Sequence, residues 1–261
     1  MLLRIEDHDR ERCRPEYETA LLDDLDWLGF VPDIYPTDLF RAGRCESRQS
    51  DRGAIYDDMA SRLQAAGLLY ACRCTRKVLG PGSGVLGPES GGPGPGSGVP
   101  GPGSDAPEAR YPGTCRDLAL PLEGDVGWRV RMPDETVTFT DQWCGPQTQT
   151  PANQCGDLLI RDRRGNWSYQ LVAAVDDFLQ GITHVIRGVD LLASTGRQML
   201  LARLLGRPAP ANFAHHGLIM KSATQKLSKS DGDTGVRDLR IAGWTRDQVL
   251  TAAVLPGERS P

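Results

Sequence analysis

The sequence predicts an α/β fold, and three stretches carry that prediction. LVAAVDDFLQG (171–181) has the composition of a helix, ITHVIRG (182–188) is an apolar run that reads as a buried strand, and Met199, Leu200, Leu204 and Leu205 mark a further helix. A second strand, HHGLIM (215–220), follows, so helices and strands alternate in the manner of a sheet covered by helices.

The elements can be justified in chain order. Leu2-Leu3-Arg4-Ile5 is strand-like and runs directly into Glu6, Asp7, His8 and Asp9. Pro15 suits the first turn of a helix, Leu21, Leu22, Leu25 and Leu28 recur at three- and four-residue steps, and Gly29 can end it. Ile55, Met59 and Leu63 repeat every four residues up to Gly67 and predict a second helix, with the strand Leu68 to Ala71 after it. From about 79 to 107 the composition reduces to Gly, Pro and Ser, which cannot bury enough apolar surface to order itself, so a disordered loop is expected.

Trp128 to Met132 and Val137 to Thr140 alternate as short strands. DLLIRDRRGNWSYQ (157–170) reads as a hairpin turning at 163–166, with Tyr169 at its end. Ser194 or Thr195 can cap the helix that closes at Gly206. After HHGLIM comes the basic loop KSATQKLSKSD, and the thirty or so residues beyond it are too few for another sizeable domain.

Bulk properties narrow the function classes. The chain has 261 residues, 39% hydrophobic and 25% charged, enough for one large or two small cores. It carries no run long enough to span a membrane and no secretion signal, so no membrane partner and a cytoplasmic site are expected. A net charge of −4 means that any polyanion must meet a local basic patch. Seven cysteines, an odd and scattered set, argue against a disulfide framework and leave metal ligands or buried and reactive thiols.

Four constellations could carry chemistry. Cys72, Cys74, Tyr111 and Cys115 could offer three thiolates and a phenolate to a tetrahedral zinc; they could equally be unconnected buried thiols and an ordinary tyrosine. KLSKS, with Lys226 and Lys229, is equipped to grip a polyphosphate, or is a solvated basic loop. Arg187 ends a strand, where an open sheet faces its ligand and where a guanidinium can take a carboxylate in a fork; an ion pair with Asp190 is the alternative. Tyr169 could face the same crevice or be a half-buried core ring, and Glu6 could receive an ammonium group or belong to a solvated acidic loop. Cys13, Cys45, Cys144 and Cys155 show no partner spacing, and His215-His216 suggests packing or exposed surface.

Taken in order, LLRIEDHD, YACRC, YPGTC, WSYQLVAAVDD, HVIRGVDLLAST and KLSKS resemble the catalytic domain of the class I glutamyl-tRNA synthetase family. The resemblance covers nearly the whole chain outside the Gly/Pro/Ser stretch. It is most specific to the shortened branch of that family, because the chain stops soon after KLSKS and has Val189 where full-length enzymes carry an acidic residue.

The resemblance implies a Rossmann-like class I aminoacyl-tRNA synthetase domain: a first catalytic part at 1–71, a zinc-binding insertion at 72–116, a second catalytic part at 117–220, and the KLSKS loop with a C-terminal tail at 221–261. It implies activation of glutamate with ATP and Mg2+ and transfer to queuosine in the anticodon of tRNA(Asp), by a monomer. By position, Glu6, Tyr169 and Arg187 match glutamate-binding residues, Lys229 the ATP-contacting lysine, and Cys72, Cys74, Tyr111 and Cys115 the ligands of one structural zinc. The family's APSPTG-like turn, HIGH-like motif and first helix lie upstream of the residues matching LLRIED. They are not in these 261 residues, so an N-terminally incomplete domain with impaired adenylate formation is expected. A non-catalytic remnant or RNA-binding module that keeps the zinc site is the alternative.

Overall fold

Two groups of elements pack separately, residues Met1–Arg52 with Gly217–Pro261 and residues Gly53–His216. The structure, a computed structural model, describes residues 1–9, 13–75, 110–218 and 235–253. The stretch expected to be a disordered loop (about 79–107), the KLSKS loop and Lys229 lie outside the described residues.

In the first unit, helix α1 (Pro15–Leu28) begins and ends where the sequence places it. Pro15 supplies a fixed φ at the first turn, and Gly29 takes the left-handed φ of +74° that lets its N–H reach Asp26 O and the Phe30 N–H reach Leu25 O. Of its leucine stripe only Leu22 is fully buried, joining Ile5, Phe40 and Cys45 in a small core beside α2 (Thr37–Arg41).

The expected strand at Leu2 to Ile5 is instead two isolated parallel bridges, Leu2 to Ile34 and Ile5 to Arg48, because its partners come from two separate segments. Arg48 ties this unit together: its guanidinium meets Glu18 at 2.5 Å, Asp51 at 3.1 Å and the Phe40 carbonyl at 2.8 Å. The C-terminal helices α7 (Val236–Ile241) and α8 (Arg246–Ala253) belong to the same unit and lie against α1, with the Arg240 guanidinium over the Trp27 ring.

The second unit is built on α3 (Gly53–Ala65), whose Tyr56, Met59, Ala60 and Leu63 enter the main core, as its four-residue repeat predicts. Strand β1 (Leu69–Cys72) pairs antiparallel with β2 (Gly127–Val130), and β2 with β5 (Leu158–Arg161), in a three-stranded sheet. A second sheet has the order β4-β3-β7-β6, from β3 (Val137–Asp141), β4 (Gly145–Gln149), β6 (His184–Gly188) and β7 (Asn212–His216). Its β6, β7 and β3 run parallel while β4 is an antiparallel edge. Helices α5 (Tyr169–Leu179) and α6 (Leu192–Leu204) contribute Leu171, Val172, Val175, Leu200 and Leu201 to the core, and the short α4 (Pro151–Gln154) links the two sheets.

One strand goes unannounced in the sequence, and four expectations need correction. Strand β4, GPQTQ, is polar and contains Pro146, so no alternation announces it; the proline is tolerated because β4 is an edge. The hairpin after β5 has a second arm of one bridge, Arg161 to Trp167, after which Ser168 caps α5 by accepting the Leu171 N–H. Tyr169 is therefore the first residue of a helix and not the end of a strand. Helix α6 starts at Leu192, two residues before the proposed Ser194 cap, since Ser194 Oγ accepts from Gln170 and Thr195 Oγ1 accepts from Arg187. Among the described residues the last strand is NFAHH, which begins three residues before the expected HHGLIM and is fixed by its parallel register with β6, His184 to Asn212 through Gly188 to His216; Ile219 and Met220 of that expectation lie outside the described residues.

Candidate active site and metal centre

Strand β1 delivers Cys72 at its end and Cys74 two residues later, and Tyr111 and Cys115 pack against them. Among the described residues the thiol sulfurs of Cys72, Cys74 and Cys115 all lie within 4.8 Å of one another. Cys74 and Cys115 Sγ are 3.5 Å apart, and Tyr111 Oη lies 3.4 Å from Cys72 Sγ while accepting the Cys115 N–H at 2.9 Å. Four ligands around zinc, with Zn–S near 2.3 Å, stand about 3.8 Å apart, so the spacing fits a tetrahedral ion.

The electrostatics of the donor set fit as well. Burial works against ionisation of Cys72, but contacts with Tyr111, the Cys74 N–H and Arg129 outweigh it and hold its thiol below the usual range. Cys74 is pushed up to about 12 by burial and by its two neighbouring sulfurs, and Tyr111 is pushed up by burial and Cys72. Sulfurs that crowd one another in this way are relieved by a cation that all of them can share.

A second layer fixes the returning segment. The Tyr111 N–H donates to Cys155 O at 3.0 Å, and the Arg129 guanidinium stacks on the Tyr111 ring at 3.7 Å. Gly156 has φ +69°, and a Cβ there would lie 2.2 Å from Tyr111 O, so only glycine permits this approach. Asp157, buried, accepts the Tyr70 hydroxyl at 2.7 Å and the Met132 N–H at 2.9 Å, and pairs with Arg116 at 3.1 Å. Its carbonyl accepts from Arg129 at 2.7 Å. No motif marks Asp157, because an aspartate before a strand looks the same in sequence whether buried or exposed.

Arg187, half-buried on β6, spends three N–H groups on neighbours: Nε on His215 Nε2 at 3.0 Å, Nη1 on Gln198 Oε1 at 2.6 Å and Nη2 on Thr195 Oγ1 at 2.8 Å. The alternative ion pair with Asp190 is not among its contacts with described residues. His215, read from sequence as packing or surface, is a buried member of this network and also meets Asp141. Tyr169, half-buried, opens α5 in the same unit.

Glu6 belongs to the first unit, exposed and paired with Arg4 at 2.9 Å. The acidic cluster around it divides, for Asp7 is buried and accepts both the N–H (2.8 Å) and the hydroxyl (2.6 Å) of Ser50. His8 Nδ1 lies 2.7 Å from Gln49 Oε1. The metal-ligand candidates are thus brought together within one unit, while Glu6 and Arg187 stand in different units.

Arg187 thus stands near the end of a strand in a mostly parallel sheet, and three thiols gather where β1 of the other sheet ends. Residues 1–81 and 121–257 match the family described as tRNA synthetases class I (E and Q), catalytic domain, and the chain belongs to that family. Within it, the chain is similar to proteins named Glutamyl-Q tRNA(Asp) synthetase. The one from Symbiobacterium thermophilum is 39% identical over 256 residues, covering 95% of this chain and 73% of the relative. The one from Cupriavidus metallidurans is 38% identical over 236 residues, covering 88% and 66%.

A solved glutamate tRNA ligase from Elizabethkingia meningosepticum, in complex with its amino acid, superposes with a TM-score of 0.64 at 28% identity, covering 89% of this chain. The chain spans 45% of that ligase and 66% of the Cupriavidus relative. Among the described residues no helix is long and apolar enough to cross a membrane.

Proposed function

We propose that this protein activates glutamate with ATP and transfers it to queuosine in the anticodon of tRNA(Asp). The observation that carries this reading is 37% to 40% identity, along 88% to 98% of the chain, to curated glutamyl-Q tRNA(Asp) synthetases. Val189 directly after the Arg187-Gly188 pair supports the same branch.

In this reading Arg187 takes a carboxylate of glutamate through the two N–H groups, one on each terminal nitrogen, that its described neighbours leave over. Glu6 receives the ammonium group and Tyr169 bounds the same amino acid. The α-carboxylate attacks the α-phosphorus of Mg2+-bound ATP, giving glutamyl-adenylate and pyrophosphate, and Lys229 neutralises charge on the phosphates. Zinc on Cys72, Cys74, Tyr111 and Cys115 supplies a structural crosslink that makes residues 72–116 a metal-stapled insertion between catalytic parts 1–71 and 117–220, ahead of the 221–261 tail. The protein works as a monomer in the cytoplasm.

Glutamate-dependent ATP–pyrophosphate exchange, followed by transfer of labelled glutamate to tRNA(Asp) with and without queuosine, tests the reading. In a protein extended upstream of Met1 to take in the family's HIGH-like motif, exchange without tRNA and label only on the queuosine-containing tRNA are expected. Binding of tRNA with no ATP binding would make the protein a non-catalytic RNA-binding module instead.

A further inference from the structure

Arg187, His215 and Asp141 lie on three adjacent parallel strands, β6, β7 and β3, with Arg187 and His215 in direct register. His215 Nδ1 stands 2.5 Å from Asp141 Oδ2, and both side chains are wholly buried. An ionised carboxylate can only accept, so the hydrogen of the imidazole is on Nδ1 and Nε2 is the bare acceptor. That tautomer is the one that can take the Arg187 Nε–H at 3.0 Å; a hydrogen on Nε2 would set donor against donor.

Asp141 is itself fixed, accepting the N–H groups of Trp143 at 3.0 Å, Cys144 at 2.9 Å and His215 at 3.1 Å. Burial opposes its charge, yet these donors and the imidazole hold its carboxyl down at about 2. His215 is pushed down by burial and by Arg187 against the pull of Asp141, leaving a neutral ring between an anion and a cation. Thr195, wholly buried, accepts from Arg187 Nη2 and lies 3.1 Å from His215 Nε2, which closes the frame around the guanidinium.

We propose that Asp141 and His215 are positioning residues for carboxylate recognition: Asp141 sets the tautomer of His215, and His215 with Thr195 and Gln198 fixes the plane of the Arg187 guanidinium so that one N–H on each terminal nitrogen faces the ligand. This rests on the reading of Arg187 as a glutamate-binding residue. A network serving only the stability of the sheet would affect unfolding and leave substrate affinity intact.

The test combines a structural and a binding readout on the full chain. Nitrogen-15 NMR follows the His215 tautomer and the exchange protection of the Arg187 Nε–H, and calorimetry measures glutamate and ATP affinity separately. Asp141→Asn, which can donate to Nδ1, is expected to move the hydrogen to Nε2, abolish Nε–H protection and weaken glutamate at least tenfold with ATP within twofold. His215→Leu is expected to abolish Nε–H protection and weaken glutamate to the same extent, whereas His215→Gln, which restores an acceptor near the place of Nε2, recovers most of the glutamate affinity and covers the case in which Asp141→Asn fails to fold. Retained Nε–H protection in Asp141→Asn and His215→Leu, or equal loss of glutamate affinity in His215→Leu and His215→Gln, overturns the positioning role. Lost protection with glutamate binding absent in the wild-type protein keeps the positioning of Arg187 and overturns its assignment to glutamate.

Discussion

Gly196 of α6 lies directly against the side chain of Gln149 on β4. Gln149 Oε1 accepts the Gly196 N–H at 2.8 Å and its Nε2 donates to Leu192 O at 2.9 Å, so one amide spans a turn of the helix. A Cβ at residue 196 would sit 2.6 Å from Oε1 and 2.9 Å from the Gln149 Cβ. Alanine gains about 1 kcal/mol of helix propensity, but overpacking costs about 1–3 kcal/mol and a displaced buried amide about as much again. Gly196→Ala is therefore expected to destabilise the protein by about 1–5 kcal/mol in urea unfolding. A neutral or stabilised variant would show that β4 and α6 are not locked through this amide.

The metal centre gives a second expectation. Protein purified under reducing conditions carries one zinc per chain, Cys115→Ser lowers the occupancy, and chelation lowers the thermal unfolding temperature. Asp157→Ala, which touches no ligand directly but removes the acceptor of Tyr70 and Met132, weakens zinc by about 10- to 100-fold. Equal zinc affinity in the variant and the wild type would refute the anchoring role.

Tyr56 and Asp176 form a third test. The Tyr56 hydroxyl lies 3.0 and 3.2 Å from the two carboxylate oxygens of Asp176, joining α3 to α5 deep in the core. Tyr56→Phe keeps the ring's edge contact with Trp167 and removes a donor to a buried charge, which costs about 1–3 kcal/mol. Denaturant unfolding monitored by fluorescence measures it, and a change below a few tenths of that range would count against the bond.

Acid titration reads Asp141. Its carboxyl is held at about 2 against an ordinary 3.8; burial pushes it up, but the Cys144 N–H, the His215 ring and the His215 and Trp143 N–H groups outweigh burial. A depressed carboxyl contributes stability that is present above 3.8 and lost as pH falls through about 2. The loss is about 2 kcal/mol for a shift of this size. Unfolding curves between pH 5 and 2 should show that the wild type sheds this increment and Asp141→Asn does not.

The legible parts of this molecule are those whose cause is local. Pro15 and Gly29 mark α1 because the fixed φ of proline and the left-handed φ of glycine act on the spot, and Ile55, Met59 and Leu63 mark a face that meets the core as predicted. The family is legible because six motifs keep their order. The convergence of Cys72, Cys74 and Cys115 is legible only through that resemblance, since spacing left a zinc site and unconnected thiols equally open. What stays hidden depends on partners far along the chain. Asp141 and His215 are 74 positions apart, Tyr70 and Asp157 are 87 apart, and neither acidic residue has a neighbour in sequence that announces burial. Asp7 and Glu6, adjacent and alike in composition, part company because Ser50 reaches only one of them.

The thiols of Cys74 and Cys115 are 41 positions apart along the chain and 3.5 Å apart in space. Cys74 and the segment Tyr111 to Cys115 are thereby held at a separation set by sulfur atoms, with Gly156 closing on Tyr111 and Asp157 holding Tyr70 and Arg116 behind them. Thiols this close make two distant segments answer together: a change to either Cys74 or Cys115 is felt at both, however far apart they stand in the sequence.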